Sequence, residues 1–233
     1  MAFGTRALSG PRLPPARGAA THLVVLCHGY GADGNDLIGL APFWQRILPT
    51  AAFVAPNAPE RCPGSPGYQW FPISRLDPAE MQRGVAHAGG VLDAFLDAEM
   101  SRYQLTADRL ALVGFSQGTM MSLHVGLGRP QKPAAIVGFS GMFTAAENPP
   151  SLAEDTPPIL LVHGDQDPMI PVDALFMSAS ALGRAGAAVQ WHVSSGTGHS
   201  IDEQGLGLGG QFLTMAFRGM LRRQAPQVAC TIG

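Results

Sequence analysis

A serine hydroxyl becomes a useful nucleophile only when a base takes its proton and an acid orients that base. This 233-residue chain holds all three side chains in the order Ser, Asp, His. Ser116 stands in Gly114-Phe-Ser-Gln-Gly118, a G-x-S-x-G pattern preceded by the apolar run Arg109-Leu-Ala-Leu-Val113 and followed by helical spacing. A serine on a sharp strand-to-helix turn is lifted off the sheet, and the glycines relieve clashes that side chains two residues away would cause. An ordinary tight turn would also show the bare pattern, so its weight comes from the strand before it and the helix after it.

In a strand-turn-helix arrangement of this kind the acid and then the base follow the nucleophile in the chain. His163-Gly-Asp-Gln-Asp-Pro-Met-Ile-Pro171 offers Asp165 and Asp167, two carboxylates that should point in different directions. Asp167 is favoured as the acid because Pro168 and Pro171 stiffen the chain around it. Asp165 is expected to brace the loop through backbone N–H groups. Of seven histidines, His199 alone follows the acid in order on a Gly-rich loop, Ser194-Ser-Gly-Thr-Gly-His199. His87 and His124 fall in predicted helices, His192 in a strand, and His22 at a strand start. His28 and His163 each end a strand just before a glycine and are expected to brace loops.

A tetrahedral intermediate needs N–H donors for its oxyanion. The amide of Gln117, next to the nucleophile at a helix N-terminus, is one candidate. The amide of Tyr30, in the glycine-rich stretch His28-Gly-Tyr-Gly-Ala-Asp-Gly-Asn-Asp36, is the other. That stretch lacks the Lys-Ser/Thr of a P-loop and the G-x-G-x-x-G spacing of a dinucleotide site. Trp70, Phe71, Met142, Phe143, Met169 and Ile170, all near predicted strand ends, are candidates for the surface that holds acyl or alcohol groups.

The elements that would position these residues alternate short apolar runs with longer helical stretches. Strands are expected at 22–27, 51–55, 109–113, 134–138, 159–162 and 189–193. Helices are expected from Asn35 or Asp36 to Leu48, from an Asp77/Glu80 capping box to Tyr103, and over 117–127, 173–185 and 210–223. Residues 57–75 read as an irregular loop. This alternation predicts an α/β fold, a mostly parallel sheet with helices on both faces, with ligands beyond the carboxyl ends of the strands. The expected organisation is a segment 1–20 forming an edge strand or extended arm, one domain over 21–223, and a tail at 224–233.

Composition excludes several classes. Hydrophobic residues make 46% and charged residues 14%, which supports a large core. With 17 acidic and 15 basic residues, no basic field exists to hold nucleic acid. Cys27, Cys62 and Cys230 have no metal-site spacing, so no metal is expected. No run approaches the roughly 20 apolar residues of a membrane span, and Met1 to Ala20 lacks an apolar signal core. The expectation is a cytoplasmic protein.

Taken together, Leu26-Cys-His-Gly-Tyr-Gly-Ala-Asp-Gly-Asn-Asp-Leu37, Tyr68-Gln-Trp-Phe71, Gly114-Phe-Ser-Gln-Gly118, His163-Gly-Asp-Gln-Asp-Pro-Met-Ile-Pro171 and Gly198-His199 resemble the phospholipase/carboxylesterase family of α/β-hydrolases, which includes the acyl-protein thioesterases. The resemblance covers about residues 20–220. It implies an α/β-hydrolase fold and a serine carboxylesterase acting on small to medium esters through an acyl-enzyme. Ser116, Asp167 and His199 would form the triad, and Tyr30 and Gln117 would serve the oxyanion. It also implies no cofactor and a homodimer as a common assembly. The thioesterase branch usually has Leu where Tyr30 stands and an acidic residue where Pro72 stands, which favours the carboxylesterase over a lysophospholipase or acyl-protein thioesterase. A non-catalytic binder of the same fold would carry a degenerate triad, and none is seen.

Overall fold

The structure, a computed structural model, describes residues 8–74, 77–144, 152 and 155–221; the tail 224–233, with Cys230, lies outside them. Its elements are β1 (Arg12–Leu13), β2 (His22–Cys27), α1 (Gly34–Ile38), α2 (Ala41–Gln45), β3 (Ala51–Val54), β4 (Glu60–Arg61), β5 (Tyr68–Gln69), α3 (Pro78–Tyr103), β6 (Leu110–Phe115), α4 (Gln117–Gly128), β7 (Ala135–Phe139), β8 (Ile159–Gly164), α5 (Asp173–Arg184), β9 (Val189–Ser194) and α6 (Glu203–Phe217).

The main sheet has the order β1-β3-β2-β6-β7-β8-β9. Arg12 and Leu13 pair antiparallel with Val54 and Phe53, and every other pairing in this sheet is parallel. Apolar residues alternate between its faces, so β2, β3, β6, β7 and β8 are buried on both sides, while the edge strands β1 and β9 are partly exposed. Leu23, Val25, Leu110 and Leu112 pack with Met81, Leu92, Leu96 and Met121 of α3 and α4. Val24, Leu26, Val113 and Val137 pack on the other face with Leu37, Trp44, Phe212 and Leu213 of α1, α2 and α6. Farther along, Ile136, Ile159 and Leu161 meet Leu123 of α4 and Leu175 and Leu182 of α5.

Parallel register fixes where chemistry can gather. Cys27 lies opposite Gly114, Phe115 opposite Phe139, and Gly164 opposite Ser194. The segments that follow β2, β6, β8 and β9 therefore all leave the sheet at one edge.

Four expectations from the sequence need correction. The helix expected over 35–48 is two short helices. Asp33 caps the first, its carboxylate accepting from Asn35 N and Asp36 N while Asp36 answers Asp33 N. Pro42 then cannot continue the ladder, because it has no N–H to offer Ile38. The loop 57–75 contains a small antiparallel hairpin, with Glu60 opposite Gln69 and Arg61 opposite Tyr68. The Arg61 guanidinium lies 4.3 Å from the Tyr68 ring centroid. Glu80 reaches back to Ser74 N and Oγ, at 2.8 Å each, while Asp77 caps α3 through Ala79 N.

The fourth correction concerns α6, which begins at Glu203 rather than Gly210. Its glycines conceal it from a propensity argument, yet three of them sit where the sheet or Trp44 of α2 comes close. A Cβ on Gly209 would lie 3.0 Å from the Phe139 ring, one on Gly210 2.7 Å from Trp44 Cδ1, and one on Gly205 2.9 Å from Val162 Cγ1. The helix closes at Phe217, where Gly219 turns the chain with φ 68°.

This packing gives a paired prediction. Trp44 is held by its Nε1–H bond to Leu206 O at 2.9 Å and cannot swing away freely. Gly210→Ala should lower unfolding stability by about 1–3 kcal/mol through overpacking. Gly207→Ala, with nothing within 4 Å of the added Cβ, should raise it by up to about 1 kcal/mol. Urea midpoints at constant slope would check both; shifts of the same sign would contradict the account.

Candidate active site

Ser116 makes the turn from β6 into α4 with φ 54° and ψ −118°, a conformation that costs a non-glycine residue about 1–3 kcal/mol. The surroundings enforce it. A Cβ on Gly114 would lie 2.3 Å from Gly118 O, and one on Gly118 would lie 1.8 Å from Cys27 O. Ser116 N donates to Phe139 O at 2.9 Å and Ser116 O accepts from Thr119 N at 3.0 Å. The backbone is thus pinned while the hydroxyl, partly exposed, makes no hydrogen bond within the described residues.

Asp167 and His199 meet. Asp167 Oδ2 accepts from His199 Nδ1 at 2.7 Å, and Oδ1 accepts from Met169 N at 2.8 Å and Ile170 N at 2.9 Å. Burial alone would raise the Asp167 carboxyl, but the bonds from Ile170 N, His199 and Met169 N outweigh it and hold the group below its ordinary range. An ionised Asp167 requires the hydrogen on His199 Nδ1, which leaves Nε2 as a lone pair. The imidazole lies against the ring of Phe115, the residue before Ser116, with centroids 4.9 Å apart.

The two loops bearing this pair are laced together. Asp165 Oδ1 accepts from Gly196 N at 2.7 Å, Gln166 N donates to Thr197 O at 3.0 Å, and a Cβ on Gly164 would lie 2.2 Å from Thr197 O. Only glycine lets the histidine loop approach β8 so closely.

The N–H groups of Tyr30 and Gln117 donate to no protein acceptor among the described residues. A Cβ on Gly29 would come within 3.3 Å of Ser116 Cβ, so the Tyr30 amide belongs to a stretch lying against the serine. His28, fully buried, holds that stretch: Ala58 N donates to its Nε2 at 2.9 Å and Nδ1 donates to Gly29 O at 2.7 Å. The Gln117 side chain, which sequence reasoning did not single out, clamps the neighbouring segment. Its Oε1 accepts from Trp70 N at 2.9 Å and its Nε2 donates to Phe71 O at 2.8 Å.

The expected substrate surface divides. Trp70, Phe71 and Ile170 are 0%, 1% and 4% exposed and belong to the core beneath the site, with the Trp70 Nε1–H bonded to His28 O. Met142 and Phe143 are half-buried and Met169 is exposed, so these three remain available to a ligand. Cys27, at the same sheet edge, is no competing nucleophile, because burial pushes its thiol up to about 12, although a bond to Ser122 acts to lower it. Among the described residues no His/Cys/Asp/Glu group is arranged to hold a metal.

A sequence profile of the family described as Phospholipase/Carboxylesterase matches residues 10–216. The chain belongs to the phospholipase/carboxylesterase family. Relatives in and around this family include acyl-protein thioesterase 1 of Schizosaccharomyces pombe, 34% identical over 70% of this chain and 75% of its own. Esterase YpfH of Escherichia coli is 27% identical over 80% of this chain and 79% of its own. The crystal structure of esterase PE8 superposes with a TM-score of 0.83 at 43% identity, covering 93% of this chain and all of the other. A carboxylesterase from Mesorhizobium loti gives 0.73 at 25% identity, with 89% and 94% covered. The fold is the α/β-hydrolase fold of this family.

The buried His28 carries a pH signature. Burial lowers His28 below its ordinary 6.5, only partly offset by the Gly29 carbonyl and by Asp33 and Asp36. His28 is therefore neutral in the fold while the unfolded chain takes up a proton below about 6.5, so its stabilising contribution is complete above that pH and lost as pH falls. His22 and His124, also lowered chiefly by burial, act in the same direction. Urea unfolding of His28→Gln should show a smaller stability loss between pH 7.5 and 5.5 than wild type; an unchanged slope would contradict the assignment.

Proposed function

We propose that this member of the phospholipase/carboxylesterase family is a serine carboxylesterase that hydrolyses small to medium carboxylic esters through an acyl-enzyme. The observation that carries this reading is the 2.7 Å bond from His199 Nδ1 to Asp167, which leaves Nε2 as the base on the sheet edge where Ser116 is held with its hydroxyl unbonded.

In the first half-reaction Ser116 Oγ attacks the ester carbonyl carbon and its proton passes to His199 Nε2. Asp167 stabilises the imidazolium without taking the proton. The negative charge on the former carbonyl oxygen is received by the N–H groups of Tyr30 and Gln117, the second reinforced by the N-terminus of the twelve-residue α4. The carbon–oxygen bond to the alcohol then breaks, and the alcohol leaves with the proton from Nε2. In the second half-reaction water gives a proton to Nε2 and attacks the acyl carbon; collapse releases the carboxylic acid and returns the proton to Ser116 Oγ. Met142, Phe143 and Met169 supply the apolar surface for the organic groups.

Acyl-protein thioester hydrolysis is a second reading, favoured by the 34% identity to acyl-protein thioesterase 1 of S. pombe. The same triad would serve it, so chain length and leaving group separate the two. Ser116→Ala should lower kcat/KM for p-nitrophenyl butyrate by about 10³-fold or more with the fold intact. Unchanged turnover would end the esterase reading. On the wild type, kcat/KM for short esters should exceed that for long-chain S-acyl peptides; the reverse order would favour the thioesterase.

A further inference from the structure

Asp167 faces a second imidazole. His163, next to last in β8 and 1% exposed, places its Nε2 2.8 Å from Ile170 O and 3.3 Å from Asp167 Oδ2. Both neighbours are acceptors, so Nε2 carries the hydrogen. Its Nδ1 is buried and has no hydrogen-bond partner among the described residues. An apolar side chain could fill the same space without leaving a ring nitrogen unpaired. What the imidazole adds is the N–H on its other edge.

We infer that His163 is a positioning residue for the triad, its Nε2–H holding the Ile170 carbonyl and, through the Ile170 amide on Oδ1, keeping the carboxylate where it meets His199 in the productive direction. The inference rests on the triad assigned above. Ile170 is bonded on both sides of its peptide: its N–H donates to Asp167 Oδ1 and its carbonyl accepts from His163. The loop 163–170 is thereby closed onto the strand that carries it. Without that N–H the Ile170 peptide loses its tie to β8, and the amide that holds Asp167 Oδ1 opposite His199 is less firmly placed. His163 touches neither substrate nor the reacting atoms, so its effect must be felt in the chemical step and not in binding.

The test compares His163→Leu, which keeps apolar bulk and removes the donor, with His163→Gln, which restores an N–H. Steady-state kinetics on p-nitrophenyl butyrate are read beside thermal melting and fluorophosphonate labelling of Ser116. His163→Leu should lower kcat by about 10- to 100-fold with KM changed by no more than about twofold, and His163→Gln should recover to within about threefold of wild type. A folded His163→Leu with wild-type kcat overturns the inference, as does a folded His163→Gln as slow as the leucine variant. If the leucine variant does not fold, His163→Gln decides alone: kcat within about threefold of wild type supports the donor role, and a larger loss overturns it. Failure of the triad reading itself would look different, because Ser116→Ala would then retain turnover and fluorophosphonate would leave wild-type Ser116 unlabelled.

Discussion

The site depends on one close approach of backbone to backbone. Gly118, two residues beyond Ser116, lies so near the end of β2 that any Cβ would overlap Cys27 O at 1.8 Å. That contact presses the start of α4 onto the sheet and forces Ser116 to φ 54°. It also lays the stretch after β2, with the Tyr30 amide, against the serine. The Ser116 turn and both candidate oxyanion donors are therefore consequences of one steric arrangement, in which no side chain larger than hydrogen is tolerated.

The second half of the site is built by the same device on other strands. Gly164 at the end of β8 lets the loop after β9 come within touching distance, and Asp165 ties the two loops through Gly196 N. A histidine-glycine pair stands at the end of each strand concerned: His28-Gly29 just after β2 is bonded into the stretch that carries the Tyr30 amide, and His163-Gly164 at the end of β8 into the loop that carries Asp167. In each pair the glycine permits the approach and the buried imidazole fixes it by hydrogen bonds to backbone. Positioning is thus achieved mainly by main-chain contacts, which reorganise little as charge moves.

Much of this could be read from residue order. Apolar runs of four or five residues locate most of the parallel strands, and the rule that ligands sit beyond strand ends selects the segments bearing Ser116, Asp167 and His199. Other features were hidden for physical reasons. Trp70, Phe71 and Ile170 lie near strand ends, where an apolar side chain has the same appearance whether it turns to the cleft or to the core. The glycines of α6 mask a helix because the benefit of omitting Cβ is tertiary, contact with Trp44 and Phe139. The Gln117 side chain was missed because its two backbone partners, at Trp70 and Phe71, lie 46–47 residues away. Nothing local in the sequence announces such a contact.

The central claim is that Ser116, His199 and the amides of Tyr30 and Gln117 surround one reacting centre. A crystal structure of the protein treated with a small alkyl fluorophosphonate tests this most directly, since the phosphonate imitates the tetrahedral intermediate. The account predicts phosphorus bonded to Ser116 Oγ, one phosphoryl oxygen about 2.7–3.1 Å from both amides, and His199 Nε2 facing the remaining oxygen substituent. A phosphonate on another residue, or a phosphoryl oxygen turned to solvent away from both amides, would contradict it.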